Sequence, residues 1–297
     1  MAAGKKYYRA DHVGSLLRPT TLLQARASHA AGKISDDTLR QAEDAVIRDL
    51  VEKQRQIGLN VCTDGEVRRD SWLADMADSV DGFVSEKVTV TWKGPNSSSE
   101  GSRAYAVGEK LKKVRNLTGG EMPFMKAISQ GPFKVTLPAP SNFMLTSYKT
   151  GITDKVYKTE DELLEDLVAI VQEEIAWLVS EAVPYIQMDA PLYSHYLDPV
   201  QRARMQKAGH DPDKALEKAI AGDNAALKGI PRDNTVFALH VCRGNNRSRW
   251  YTEGAYDTIA QQLFGNLNVD RFLLEYDTER AGSFEALRMV PPETTAV

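Results

Sequence analysis

The chain has 297 residues, with 37 Lys and Arg against 41 Asp and Glu, a formal charge of −4, and 42% hydrophobic positions. That balance, with no basic stripe, argues against nucleic acid as a partner, and no run nears the ~20 consecutive apolar residues of a membrane span. The opening residues hold no apolar leader, and two cysteines, Cys62 and Cys242, make no disulfide framework, so the expected compartment is the reducing cytoplasm.

The length suits a single domain over 1–297, since ~250 residues is the usual size of a (β/α)8 barrel. In chain order, extended apolar runs alternate with amphipathic helices, the pattern of a parallel α/β fold. The first run is Tyr8 to Ser15, and a helix opens at Ser35-Asp36-Asp37 with Leu39, Ala42, Val46, Leu50 and Ile57 near helical spacing. A second strand is expected over Asn60 to Asp64, running into Gly65-Glu66. Residues 84–120 break the alternation. There Lys87 to Trp92 alternates at period two, the polar stretch Lys93 to Ser102 reads as a loop, and a second extended run starts at Arg103. This predicts a β-hairpin inserted between the second and third barrel units and lying over one end.

Phe133 to Leu137 is the third strand, stopped by Pro138 and Pro140. A helix follows Thr159, where Thr159 and Glu162 form a capping box and Leu163, Leu167, Ile170, Val171, Ile175 and Leu178 an apolar face. Tyr185 to Asp189 is the fourth strand, Asp211-Pro212 starts a further helix, and Thr235 to Leu239 is the fifth strand. A helix around Tyr256 to Phe264 precedes the sixth strand, Arg271 to Glu275, and Thr294 to Val297 reads as the first residues of a seventh.

Chemistry in a parallel barrel sits at the C-terminal strand ends, where loops vary without disturbing the packed interior. Polar residues collect there: His12 to Ser15, Asp64 to Glu66, Asp189, His240 to Cys242, and Glu275 to Asp277. His240 and Cys242, two apart on an extended chain, point to one face and can share a cation, with Glu275 as the neighbouring carboxylate. From spacing alone, a core cysteine beside a histidine satisfied by a backbone carbonyl is the more common reading of such a pair. Cys62 reads as core packing. Glu66 and Asp189 face the same mouth and suit a ligand ammonium, or else ion pairs with Arg68 or Arg69, or helix capping.

Five motifs in order carry a likeness: Asp11 to Pro19, Thr63 to Arg69 with Trp72, Lys134 to Pro138, Ile186 to Asp189, and His240 to Asn245. Together they resemble the catalytic domain of cobalamin-independent methionine synthase, most like its shorter, single-barrel members. The resemblance implies a zinc-dependent barrel that moves a methyl group from 5-methyltetrahydrofolate, or its polyglutamate, to the thiol of homocysteine. It implies His240, Cys242 and Glu275 as zinc ligands, Glu66 and Asp189 as the catalytic carboxylates that hold the homocysteine ammonium, and the Val13-Gly14-Ser15 backbone for its carboxylate. Arg18, Trp72 and Phe143 are the folate candidates.

Two departures stand out. Asp189 is followed by Ala190-Pro191 where the family has an acidic residue. No cysteine follows Cys242 and no histidine follows His240, where the family has a fourth ligand and a general acid. The expectation is therefore a (β/α)8 barrel of the TIM type lacking its last one or two β/α units, these being absent or supplied by another chain or a second copy. The alternative expectation is a diverged barrel that binds or transforms another small molecule.

Overall fold

The computed structural model describes residues 10–276 and 278–297. Its spine is a five-stranded parallel sheet in sequential order: β3 (Lys134–Pro138), β4 (Tyr185–Asp189), β5 (Val236–Val241), β6 (Arg271–Leu274) and β7 (Thr295–Ala296), after an antiparallel hairpin of β1 (Val80–Trp92) and β2 (Ser98–Lys113). Crossover helices follow the expected signals. Thr159 Oγ accepts the Glu162 N–H at 3.2 Å and Glu162 accepts the Lys158 N–H at 2.9 Å, opening the helix Glu160–Ser180. Ser35 caps Asp36–Gln56 through the Thr38 N–H, and Asp211 caps Pro212–Leu227 through the Asp213 N–H.

Strand pleating decides what the chemistry can use. Val135, Leu137, Ile186, Met188, Phe237, Leu239, Val241 and Phe272 pack with the helices in the main core. The alternate positions Tyr185, Val236, Ala238 and Leu273 gather with Val61, and with Val13 against them, in a separate cluster on the other face. Lys134, Thr136, Gln187, Asp189, His240, Cys242 and Glu275 belong to that same inner alternation. Register aligns them: Thr136 lies opposite Gln187, Asp189 opposite His240, and the Glu275 N–H donates to Val241 O at 3.3 Å. Cys62 falls on the outer alternation and packs in the main core, as its sequence context predicts.

Three expectations need correction. First, the first two expected barrel strands are not strands of the sheet among the described residues. The expected first strand is irregular over residues 10–15 (Tyr8 and Arg9 lie outside the described residues), and the expected second strand is one parallel bridge, Cys62 to Phe133. The physical reason is that residues 11–15 are tied to the sheet by side chains instead of a backbone ladder. Lys134 Nζ reaches Asp11 at 2.5 Å and Tyr185 donates to it at 2.6 Å, with both charged side chains fully buried. Second, the hairpin is longer than 84–120 implied at its start and has a shorter loop: β1 begins at Val80, β2 at Ser98. The start of β2 is exposed at nearly every position, so the polarity of Ser98 to Ser102 reflects solvent and not a turn. Third, Tyr256 to Phe264 is a 3-10 turn, Tyr256–Thr258, followed by the helix Ala260–Asn266.

The hairpin lies in the chain between the Cys62 bridge and β3. Its base is anchored on the helix Glu160–Ser180 side, where Tyr157 accepts the Leu111 N–H at 2.8 Å and Thr153 donates to Val107 O at 2.7 Å. Its tip reaches the C-terminal end of the sheet, where Lys93 and Trp250 exchange backbone hydrogen bonds. Among the described residues no helix is long and apolar enough to cross a membrane.

Candidate active site

Two loops at the strand ends are zipped together first. The Leu16 N–H donates to Gly65 O at 3.0 Å, and a Cβ on Gly65 would stand 2.9 Å from Leu16, at φ +67. That contact requires glycine and brings Ser15 onto Glu66, with Oγ donating to a carboxylate oxygen at 2.6 Å. Glu66 is itself left-handed, at φ 53, a conformation costing of order 1–3 kcal/mol for a residue with a Cβ. Asp64 offsets it by accepting the Glu66 N–H at 2.9 Å, and Gln54 holds Thr63 at both backbone groups.

Arg18 donates to the carbonyls of Glu66, Val67 and Arg69 at 2.6–3.1 Å. Its guanidinium thus positions the loop that carries Glu66. Arg69 forms a bidentate pair with buried Glu121 at 2.7 and 2.6 Å, donates to Thr136 Oγ and O, and lies 3.9 Å from Glu66. The Glu66–Arg69 contact foreseen as an alternative therefore exists, but Glu121 takes the closer geometry; Arg68 pairs with Asp44. Burial, and then the Glu121 charge, push the Asp64 carboxyl up to about 7.

Across the mouth, Asp189 accepts from Gln187 at 2.6 Å and holds His240 Nδ1 at 2.9 Å. Burial alone would lower the His240 pKa, yet the Cys242 sulfur and the Asp189 carboxylate raise it to about 10. Lys134 shares this interior; burial lowers its pKa while Asp11, Asp189 and Glu66 pull it back up. Its ion pair is with Asp11, not with Glu66 or Asp189.

The expected metal donors are His240, Cys242 and Glu275. His240 is held through Nδ1 by a carboxylate, the second partner that metal-bound histidines usually show. Cys242 is half-buried and hydrogen-bonded with His240. Glu275 is at the matching height on the next strand, but one of its oxygens accepts the Arg243 N–H at 2.7 Å and the other meets Arg280 at 2.5 Å. Among the described residues no three His, Cys, Asp or Glu side chains stand close enough together to hold a metal; Asp277 lies outside those residues. The donor types are those zinc accepts, but they do not stand together, and Arg280 occupies the carboxylate.

Aromatic side chains that the sequence did not single out roof this end. Tyr251 stands edge-on to Trp92 at 5.9 Å and to His195 at 5.5 Å. Burial lowers the His195 pKa to about 4, leaving the ring neutral. Gly244 lies directly beneath, at φ +82, where a Cβ would approach Tyr251 to 2.2 Å. Of the remaining candidates, Val13 faces the inner cluster, Gly14 turns at φ +79 with its carbonyl on His12 at 2.8 Å, and Trp72 is half-buried. Phe143 is core, 2% exposed and packed on Phe83, so it is unavailable for stacking on a folate. Lys134 had a signal: with Thr136 it repeats at period two inside an otherwise apolar strand.

A family model described as the catalytic domain of cobalamin-independent synthase matches residues 10–251. The uncharacterized protein YxjH of Bacillus subtilis is 33% identical over 288 residues, 96% of this chain and 75% of that protein. A methionine synthase of Sulfurisphaera tokodaii is 30% identical over 233 residues, 78% of this chain and 60% of its own length. Among solved structures, a Listeria monocytogenes protein named as a vitamin-B12-independent methionine synthase superposes with a TM-score of 0.72 at 26% identity, covering 97% of this chain and 78% of that one. A B12-independent methionine synthase from a Shewanella species shares the fold, at TM-score 0.67 and 18% identity over 89% of this chain and 71% of that one. By the extent of these matches, the chain belongs to the cobalamin-independent methionine synthase family, through its catalytic domain.

Proposed function

We propose that the protein is a zinc-dependent S-methyltransferase that moves a methyl group from 5-methyltetrahydrofolate, or its polyglutamate, to the thiol of homocysteine, forming methionine. The observation that carries this reading is the inner row of strand-end residues: His240 fixed by Asp189, Cys242 beside it, and Glu275 at the same height. His240 and Cys242, with Glu275 as the carboxylate, would hold the zinc. The bound ion would supply the Lewis acidity that makes a thiol a competent nucleophile at neutral pH.

The chain's own residues account for orientation. Glu66, held by Ser15 and Thr136, and Asp189, held by Gln187, offer carboxylate oxygens to the substrate ammonium. The Val13-Gly14-Ser15 backbone takes the substrate carboxylate. Gripping both ends of the amino acid aims its sulfur, and orientation of this kind lowers a barrier by several kcal/mol. The Tyr251, Trp92 and His195 roof limits water at the reacting end. Arg18 and Trp72 remain the folate candidates, Arg18 acting through the loop it holds.

Metal content tests the reading against a diverged, zinc-free barrel that uses Glu66 and Asp189 on another small molecule. Protein purified without chelators should carry about one zinc per chain, lost in Cys242→Ser. A metal-free protein that refuses added zinc contradicts the proposal.

A further inference from the structure

We propose that Arg280 is a built-in counter-cation for Glu275 that a metal ion must displace, so that Arg280 sets how tightly the His240, Cys242 and Glu275 site takes up zinc. The inference rests on the zinc reading above. Its own basis is the carboxylate's environment. Both Glu275 oxygens are engaged, one by the Arg243 N–H at 2.7 Å and one by the Arg280 guanidinium at 2.5 Å, and the two side chains of that pair are each only 17% exposed.

A carboxylate in this position needs a cation. It shares the mouth with the Cys242 sulfur and, through His240, with Asp189, and an uncompensated buried charge is costly. Arg280 meets that need with a fixed charge, whereas a metal meets it with a higher one and with donor bonds. The two occupants compete for the same oxygen.

The surroundings let the side chain exchange partners while its backbone stays. Arg280 lies in the 3-10 turn Glu279–Ala281, whose carbonyl at 280 accepts the Gly254 N–H at 3.3 Å. At Gly282, φ +81, a Cβ would come within 2.4 Å of Ala255, so this turn is seated closely on the segment before Tyr256. The guanidinium carbon stands 4.1 Å over the Trp250 ring. That face attracts a cation whether or not Glu275 is its partner, so release from the carboxylate does not strand the charge.

The test is a double-mutant comparison of zinc dissociation constants, measured by competition with a chromophoric chelator at fixed pH on the full chain. Removing a partly buried competitor should tighten binding roughly three- to tenfold in Arg280→Ala. Arg280→Gln, which keeps most of the side-chain length, carries the same comparison should the alanine variant fold poorly. Glu275→Gln should weaken zinc binding, and in that background Arg280→Ala should change nothing further. Equal or weaker binding in Arg280→Ala, or the same gain with Glu275→Gln present, overturns it while leaving the zinc site standing. Absence of zinc binding from both wild type and variant overturns the inference and the zinc reading together.

Discussion

The Arg69–Glu121 pair holds the loop bearing Glu66, and Arg69→Met measures how firmly. Arg69 places two charged hydrogen bonds on Glu121 at 2.7 and 2.6 Å and two more on Thr136 at 2.8 and 2.7 Å, with its side chain 2% exposed and that of Glu121 7% exposed. Truncating one partner of such a pair leaves the other charge buried and unpaired, a loss of about 3–5 kcal/mol. Replacing both, Arg69→Met with Glu121→Leu, removes the stranded charge and should recover more than half of that loss. Urea unfolding followed by far-ultraviolet circular dichroism gives both numbers, provided the slopes match. A loss below about 1 kcal/mol for Arg69→Met, or a double variant no better than the single, would refute the claim that this pair is a buried, tightly coupled prop.

Other outcomes follow from single contacts. Gly244→Ala sets a methyl 2.2 Å from the Tyr251 ring at φ +82, and should cost about 2–4 kcal/mol while altering the near-ultraviolet dichroism of the aromatic roof. An unchanged spectrum and stability would mean that the ring is not seated there. Asp64 has a folded pKa of about 7 against an ordinary 3.8, so its stability contribution is full below pH 3.8 and is lost progressively as the pH climbs to about 7. Asp64→Asn keeps an acceptor for the Glu66 N–H and lacks that loss, so its stability relative to wild type should rise between pH 4 and 7 and then level off. A difference that stays flat with pH contradicts the burial of a protonated carboxyl. Tyr193→Phe removes a 2.8 Å hydrogen bond to buried Asp223 and should destabilise by about 1–3 kcal/mol in the same unfolding assay; a neutral change would refute the bond's importance.

Much of the inner row was legible because parallel strands buried on both faces read as short apolar runs, and period two then marks which polar residues share a face. Gln187 with Asp189, and His240 with Cys242, stand out this way, and β4 to β6 place them together. The Thr159 cap was legible for a local reason: both hydrogen bonds join residues within four positions.

What was not legible depends on contacts that no local periodicity reports. Residues 11–15 carry a strand-like pattern, but Asp11 spends its bonding on Lys134 and Tyr185, more than a hundred residues away. The hairpin loop was overestimated because an exposed strand has solvent on both faces and no alternation to display. Arg280 sits in a short 3-10 turn without periodicity, so nothing local reports that it reaches back to Glu275. The role of Arg18 is hidden in the same way, since its partners are backbone carbonyls that every residue possesses.

The central claim is that this row of strand-end residues methylates a thiol. Its most direct test is transfer of labelled methyl from 5-methyltetrahydrofolate to homocysteine by zinc-loaded wild-type protein and by Cys242→Ser. The account predicts methionine formed by the wild type and a loss of at least ~100-fold in the variant, the scale expected when a group essential to activating the nucleophile is removed. Methionine formed equally by both proteins, or by neither while the wild type carries its zinc, would contradict it.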